Sequence, residues 1–241
     1  MRKDTIQFQE KGEIKMIAHR GLSGLERDNT NAAFVAAGQR GYYGIETDVH
    51  ITSDGKFIII HDDDLKRIAK MNRRVEDMTF DELRAVRLTD LDGVERGDLC
   101  LPSLDEYLRI CKKYDKQAIL ELKNEMPKAK IWEIVEVVKK FGWFENTTFI
   151  SFHYDNLLAV REKYPIADVQ FLTDKVKEKL LERMIADKID ADFAENCISK
   201  ELVERLHTAR RKVNVWTVDE IKAAKKLKEM GVDFITTNIL E

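Results

Sequence analysis

Cysteine is scarce. The 241 residues hold three, Cys100, Cys111 and Cys197, unevenly spaced and with no CxxC pair. An odd, scattered set argues against a disulfide framework and fits reduced thiols in a cytosolic protein. Proline is as rare, also three, and no low-complexity segment or fixed-period repeat occurs. Long apolar runs are missing too. Runs such as residues 57–60 are short, far from the roughly 20 residues that a spanning helix needs. The leading stretch MRKDTIQFQEKGEIK has no continuous apolar core of the kind a signal peptide carries. Net charge is only -3, which gives no electrostatic case for nucleic acid or an anionic membrane. Aromatic residues make up 8% and form no stripe interleaved with basic ones. Neither GxGxxG nor GxxxxGK followed by Ser or Thr is present, so the glycine-rich turn of a nucleotide-binding open sheet is missing. The expectation is a soluble cytoplasmic protein.

What is present is an alternation. Hydrophobic residues are 44% of the chain, enough for a substantial core, and this length suits one α/β barrel. Strands are expected at 14–18, 44–51, 118–122, 147–152, 167–172, 189–193, 213–218 and 234–237. Most precede a stretch of helical spacing. Ile131, Ile134, Val135 and Val138 fall at i, i+3, i+4 and i+7, and Ile221, Ala224 and Leu227 repeat the pattern. Strand–helix alternation implies a parallel sheet. Eight such strands predict a (β/α)8 TIM barrel forming one domain over 1–241, with a doubly wound open sheet as the rival fold. Residues from about 51 to 103 break the alternation. They read as a small insertion after the second strand, charged and irregular, with one short helix near 80–86. Asp54-Gly55 reads as a two-residue hairpin turn.

In such a barrel the chemistry gathers at the C-terminal strand ends. The first strand ends in His19-Arg20, the second carries Glu46-Thr47-Asp48, and the third ends in Glu121-Leu122-Lys123. Two apart on a strand, Glu46 and Asp48 share a face. Two anions in a small space repel unless a cation or a proton lies between them. Glu121 adds a third carboxylate, and three hard oxygen ligands suit Mg²⁺ or Ca²⁺ rather than zinc. With Asp54-Gly55 as the turn, Ser53 pairs with Lys56 and His61 falls opposite Asp48. His19 arrives from the adjacent strand. Two histidines flanking a divalent cation can act as general base and general acid. Arg20 and Lys123 supply positive charge for an anionic group, most naturally a phosphate. Gly21 and Gly24 let the loop backbone approach the ligand closely. Trp216, at a strand end, suits a substrate wall. Asp28-Asn29-Thr30 suits a helix N-cap. His50 reads as a solvated rim residue, His153 as a loop residue and His207 as a helix-surface residue. Leu25 stands where a GxSxG turn needs its second glycine, so Ser23 is not read as a nucleophile.

These residues, taken in order, resemble the glycerophosphodiester phosphodiesterase family. The resemblance runs through His19-Arg20-Gly21, Asp28-Asn29-Thr30, Glu46-Thr47-Asp48-Val49, Thr52-x-Asp54-Gly55 and His61-Asp62. It continues through 101–106, Glu121-Leu122-Lys123, Ser151-Phe152, Trp216-Thr217-Val218 and Gly231-Val232-Asp233. The resemblance implies a TIM barrel that hydrolyses glycerophosphodiesters to glycerol 3-phosphate and an alcohol. It implies His19 and His61 as the acid–base pair, Glu46, Asp48 and Glu121 as metal ligands, and Arg20 and Lys123 as phosphate contacts. It also implies attack by the glycerol 2-hydroxyl, with a cyclic phosphate opened later by water. Three positions depart from the family pattern: Asp28 replaces a glutamate, Arg27 a proline, and Asn238 an aspartate. Two alternatives stand beside this reading. One keeps the site but acts on lysophospholipids or phosphoinositides, with Met71, Met78 and Phe80 as apolar contacts. The other is a non-catalytic barrel that binds phosphorylated ligands. The partner is a small molecule, with no nucleic acid and no stable membrane insertion, and no surface stripe marks an oligomer interface.

Overall fold

The computed structural model describes residues 4–241. Nine strands follow in chain order: β1 (Lys15–Ala18), β2 (Gly44–Ile51), β3 (Phe57–Ile59), β4 (Gln117–Leu122), β5 (Thr147–Ser151), β6 (Asp168–Thr173), β7 (Asp190–Ala194), β8 (Val213–Trp216) and β9 (Phe234–Thr237). All except β3 pair in parallel with their neighbours, and β1 pairs with both β2 and β9, which closes the barrel. The expected (β/α)8 barrel is therefore the fold.

Helices cover the outside: α1 (Asn31–Gly38), α2 (Lys66–Ala69), α3 (Phe80–Arg84), α4 (Leu104–Lys113), α5 (Lys128–Lys140), α6 (Tyr154–Lys163), α7 (Glu178–Ala186), α8 (Lys200–Thr208) and α9 (Ile221–Met230). The apolar face of α5 is the one its spacing announces, with Ile131, Ile134, Val135 and Val138 all buried. Each such side chain contributes roughly 1.5–3 kcal/mol when removed from water. Inside the barrel, Ile17, Ile119, Ile150, Leu172 and Phe234 form an apolar plug. Strand parity then carries the chain from plug to mouth, from Ile17 to His19 and from Ile119 to Glu121 and Lys123.

The hairpin after β2 differs from its sequence reading. β2 and β3 pair as Val49–Ile59, His50–Ile58 and Ile51–Phe57. The Ile60 amide donates to the Asp48 carbonyl at 3.0 Å, so Ile60 and not His61 stands opposite Asp48. The turn is one residue longer than expected. The Thr52 amide donates to the Lys56 carbonyl at 2.9 Å, leaving Ser53, Asp54 and Gly55 between. Gly55 takes a φ of +75°, the left-handed conformation that closes a three-residue hairpin loop. His50 is not a solvated rim residue. It is buried, with Nε2 3.4 Å from the His61 carbonyl.

The insertion is charged outside but has its own core. Ile58, Ile60, Leu65, Ile68, Val75 and Leu83 are among its buried residues. The expected short helix is α3, started by a capping box between Thr79 and Glu82. Met78 is buried in this core, and Met71 and Phe80 pack against it. All three take part in the insertion's own packing, Met78 buried and Met71 and Phe80 partly so.

Candidate active site

β1 delivers His19 to the mouth, and the loop after β9 fixes its ring. Asn238 donates its Nδ2 to Asp219 Oδ2 at 2.6 Å, which turns its Oδ1 toward the imidazole. His19 Nδ1 lies 2.8 Å from that oxygen, so Nδ1 carries the proton and Nε2 keeps its lone pair. Burial, and then the neighbouring Arg20, push the His19 pKa down to about 4. Ser23 Oγ lies 2.7 Å from both the His19 carbonyl and Asn238 Oδ1, a bracing role rather than a nucleophile's. Gly21, at φ +76°, leaves no room for a side chain: a Cβ would sit 2.6 Å from the Ala33 backbone. At Gly24 a Cβ would sit 2.7 Å from the Asn238 carbonyl. The two glycines let the loop pack closely against α1 and the last strand's exit.

Glu46, Asp48 and Glu121 converge as their spacing suggests. All three are buried, and one oxygen of each lies within 4.8 Å of the others. At that separation two ionised carboxylates repel by roughly 3–4 kcal/mol at an effective dielectric near 20. Burial, and then Asp48, push Glu121 up to about 8 and raise Glu46 well above the usual carboxylate range. Burial opposes ionisation of Asp48 as well, but Lys123 and Arg20 outweigh it and hold that carboxyl low. Lys123 Nζ is 3.0 Å from Glu121 Oε1 and 3.5 Å from Asp48 Oδ1. Asn29 Nδ2 donates to Asp48 Oδ2 at 2.7 Å and is itself held by the Thr47 hydroxyl. Asp48 Oδ1 is buried without a hydrogen-bond donor. Thr30 does cap α1, accepting from the Ala33 amide at 3.2 Å, while Asn29 serves the carboxylates.

Arg20 sits at φ 56°, and its backbone amide donates to Glu46 Oε2 at 2.8 Å. Its Nε is 3.7 Å from Asp48, and its Nη1 is 3.8 Å from Asp28. That Nε is buried and makes no hydrogen bond, while the residue itself lines the cavity.

The insertion supplies the opposite wall. His61 Nδ1 lies 2.8 Å from Asp62 Oδ1, which leaves Nε2 for the cavity side. Arg67 on α2 then reaches back. It donates to Asp62 Oδ2 at 2.6 Å and to both oxygens of Asp28 at 2.8 and 2.7 Å. One guanidinium thus links the carboxylate that orients His61 with the carboxylate beside Arg20. Asp28 is held below its usual range, because Arg67 outweighs the cost of burial. Arg27, the proline replacement, is also explained: its Nε and Nη2 donate to the carbonyls of Thr89 and Asp90 and tie the first loop to the insertion.

All eight residues singled out by sequence reading lie at the mouth. His19, Arg20, Glu46, His61, Glu121 and Trp216 line a cavity of about 110 Å³, with Asp48 and Lys123 ion-paired directly behind. Trp216 packs edge-on against Phe152 at 5.6 Å between centroids and donates from Nε1 to the Asp192 carbonyl. His153 is an exposed residue at the start of α6, and His207 is exposed on α8. Sequence reading missed Arg67, Asp219, Asn29 as a partner of Asp48, and Asp192.

The comparisons with known proteins make this barrel a hydrolase of phosphoric diesters. Residues 19–241 match the sequence profile of the Glycerophosphoryl diester phosphodiesterase family, and the chain belongs to that family. It is 30% identical over 230 residues to a glycerophosphodiester phosphodiesterase of Bacillus altitudinis, covering 93% of this chain and 94% of that one. Among solved structures, it superposes on a phosphodiesterase from Oleispira antarctica in complex with the product sn-glycerol-3-phosphate. That match has a TM-score of 0.85 and 25% identity and covers 93% of this chain and 92% of the other. A glycerophosphodiester phosphodiesterase from Thermotoga maritima matches with a TM-score of 0.77 and 26% identity, over 93% and 94% of the two chains. No helix among the described residues is long and apolar enough to cross a membrane.

Proposed function

We propose that this enzyme hydrolyses glycerophosphodiesters to glycerol 3-phosphate and an alcohol, using two histidines and a divalent metal, Mg²⁺ or Ca²⁺. The observation that carries the reading is the buried set of Glu46, Asp48 and Glu121 set between His19 and His61. The carboxylates fit a hard cation: one buried oxygen of Asp48 lacks a donor, and like charge together with burial raises the other two. Three anions against two cations leave one negative charge. A divalent ion and a phosphodiester monoanion bring the set to neutrality. When bound, the metal supplies Lewis-acid stabilisation of charge developing on phosphoryl oxygens.

The chain's own residues do the rest. Arg20 and Lys123 hold the phosphate. His19 Nε2 takes the proton of the glycerol 2-hydroxyl as that oxygen forms a bond to phosphorus. His61 Nε2 gives its proton to the departing alcohol oxygen as the second P–O bond breaks. Asp62 keeps the His61 ring oriented and stabilises positive charge when it forms. The roles then reverse: one histidine takes a proton from water as it opens the cyclic phosphate, and the other protonates the released 2-oxygen.

We take residues 1–241, insertion included, as one catalytic unit, because Arg67 and His61 both come from the insertion. The free cysteines fit a reducing compartment, and we place the enzyme in the cytoplasm. The test is glycerol 3-phosphate release from glycerophosphocholine and glycerophosphoethanolamine, with EDTA, Mg²⁺ and Ca²⁺ compared. The expected result is multiple turnovers, lost with EDTA and restored by one ion. A folded protein that releases none under any condition would overturn the reading.

A further inference from the structure

Asp192 lines the same cavity, yet neither the acidic cluster nor the histidines use it. It lies on β7, 1% exposed, in the half of the cavity walled by Ile150, Leu172, Phe152 and Trp216. Its Oδ1 accepts from Asn214 Nδ2 at 2.8 Å. Asn214 also donates to Thr236 Oγ1 at 2.9 Å, and the Thr236 hydroxyl lies 3.2 Å from Asn214 Oδ1. Among the described residues Asn214 is the one side-chain donor to the Asp192 carboxyl, and no cation pairs with it. The second oxygen is not sealed in the core but opens to the cavity, so it is placed to meet a group that enters there. Position and surroundings mark it as a recognition group set in an apolar wall, the usual design of a small-molecule site.

We propose that Asp192 selects the polyol arm of the substrate, the part kept in the phosphate product, its Oδ2 hydrogen-bonding a hydroxyl of that short polyol phosphate with Thr236 beside it. The proposal rests on the phosphodiesterase reading above and names the part of the substrate that faces away from the metal. The cavity, about 110 Å³ in all, is of the size that suits a small polar arm. The chemistry of the floor supports it too. Asp192, Asn214 and Thr236 form a chain of carboxyl, amide and hydroxyl, which matches hydroxyl groups that both donate and accept.

The test is calorimetric binding of three probes, inorganic phosphate, glycerol 3-phosphate and phosphoethanolamine, to the Mg²⁺-supplemented protein. Asp192→Ala is expected to weaken glycerol 3-phosphate about tenfold and leave inorganic phosphate unchanged. Asp192→Asn, which keeps the shape and the Asn214 contact, is expected to recover part of the loss; it also serves if the alanine variant fails to fold. Equal losses for phosphate and glycerol 3-phosphate would overturn the proposal, because Asp192 would then act on the site as a whole. Losses confined to phosphoethanolamine would overturn it in favour of a cationic arm, and no change would overturn it outright. Wild-type turnover is read separately. If glycerol 3-phosphate is never released but Asp192 still discriminates it from phosphate, the hydrolase reading fails and the polyol site stands.

Discussion

The two halves of the barrel mouth share one scaffold and differ in chemistry. β1, β2 and β4 bring His19, Arg20, Glu46, Asp48, Glu121 and Lys123 to the rim. β5 to β8 end instead near Phe152, Thr173, Ala194 and Trp216, with Asp192 a single carboxyl below them. Both halves use parallel strands with continuous pairing, so backbone geometry does not explain the difference. Reach does. Adjacent strands lie about 4.8 Å apart, and the three carboxylates meet within 4.8 Å. A metal and a phosphate need charges that converge at that range, which neighbouring strands supply and opposite walls do not. The insertion rises over the charged half, adding His61 and Arg67 there. The apolar half is left free to fit an organic arm. The scaffold repeats, and function comes from where it stops repeating.

That comparison breaks first at the histidines. His19→Ala and His61→Ala are each expected to lower kcat by about 10²–10⁴ with little change in Tm. Phe152→Ala, on the apolar half, should cost only a few-fold. Turnover that survives in either histidine variant would remove the charged half's claim to the chemistry.

Arg67 tests how far that half extends. Arg67→Ala frees both Asp62 and Asp28 and is expected to lower kcat about tenfold, since small misplacements at a reacting centre are costly. Arg67→Lys should restore little, because one ammonium cannot reproduce the bidentate contact to Asp28. An unchanged kcat, with any loss confined to Tm, would make Arg67 a structural tie only.

The strand-end residues were readable in the sequence because parity and adjacency are local rules. Glu46 and Asp48 share a face by spacing alone, and the expected bounds of β2 and β9 match the structure. The insertion resisted for two reasons. One extra loop residue at Gly55 shifts the whole β2–β3 pairing, so His61 reaches the site by following Ile60 rather than by facing Asp48. Its buried residues, such as Ile58, Leu65 and Val75, come from short pieces with no common period. Arg67, Asp219 and Asp192 were missed because their roles lie in distant contacts. Arg67 stands 39 residues from Asp28, and Asp192 sits in a strand whose neighbours read as core.

The base role proposed for His19 has a finer test, in pH. Its Nδ1 meets a neutral amide, and burial and Arg20 hold its pKa near 4 against the nearby Asp48, which acts the other way. A general base must be neutral to work, so with metal at saturation, where a bound cation would keep Glu46 and Glu121 ionised, kcat/KM should hold as pH falls from 7 toward 5. Asn238→Asp would place a carboxylate against Nδ1, braced by the same Ser23 but facing Asp219. A nearby anion favours imidazolium, so the acid limb should move up by about one pH unit or more, with activity above pH 8 little changed. A limb that stays in place would mean that His19 is not the group that must lose its proton.

The smallest expected effect belongs to the apolar half. Trp216 forms a wall with Phe152 and hydrogen-bonds the strand that carries Asp192. An aromatic pair of this kind is worth about 0.5–1.5 kcal/mol beyond area. Trp216→Leu keeps the wall apolar but removes that pair and the indole donor. KM for a glycerophosphodiester should rise by about two- to tenfold while kcat stays near the wild-type value, if the wall binds the arm and touches no reacting atom as proposed. If kcat fell with KM unchanged, the division of labour would fail. The apolar half would then take part in the transition state, and position relative to the metal would not separate binding from chemistry in this barrel.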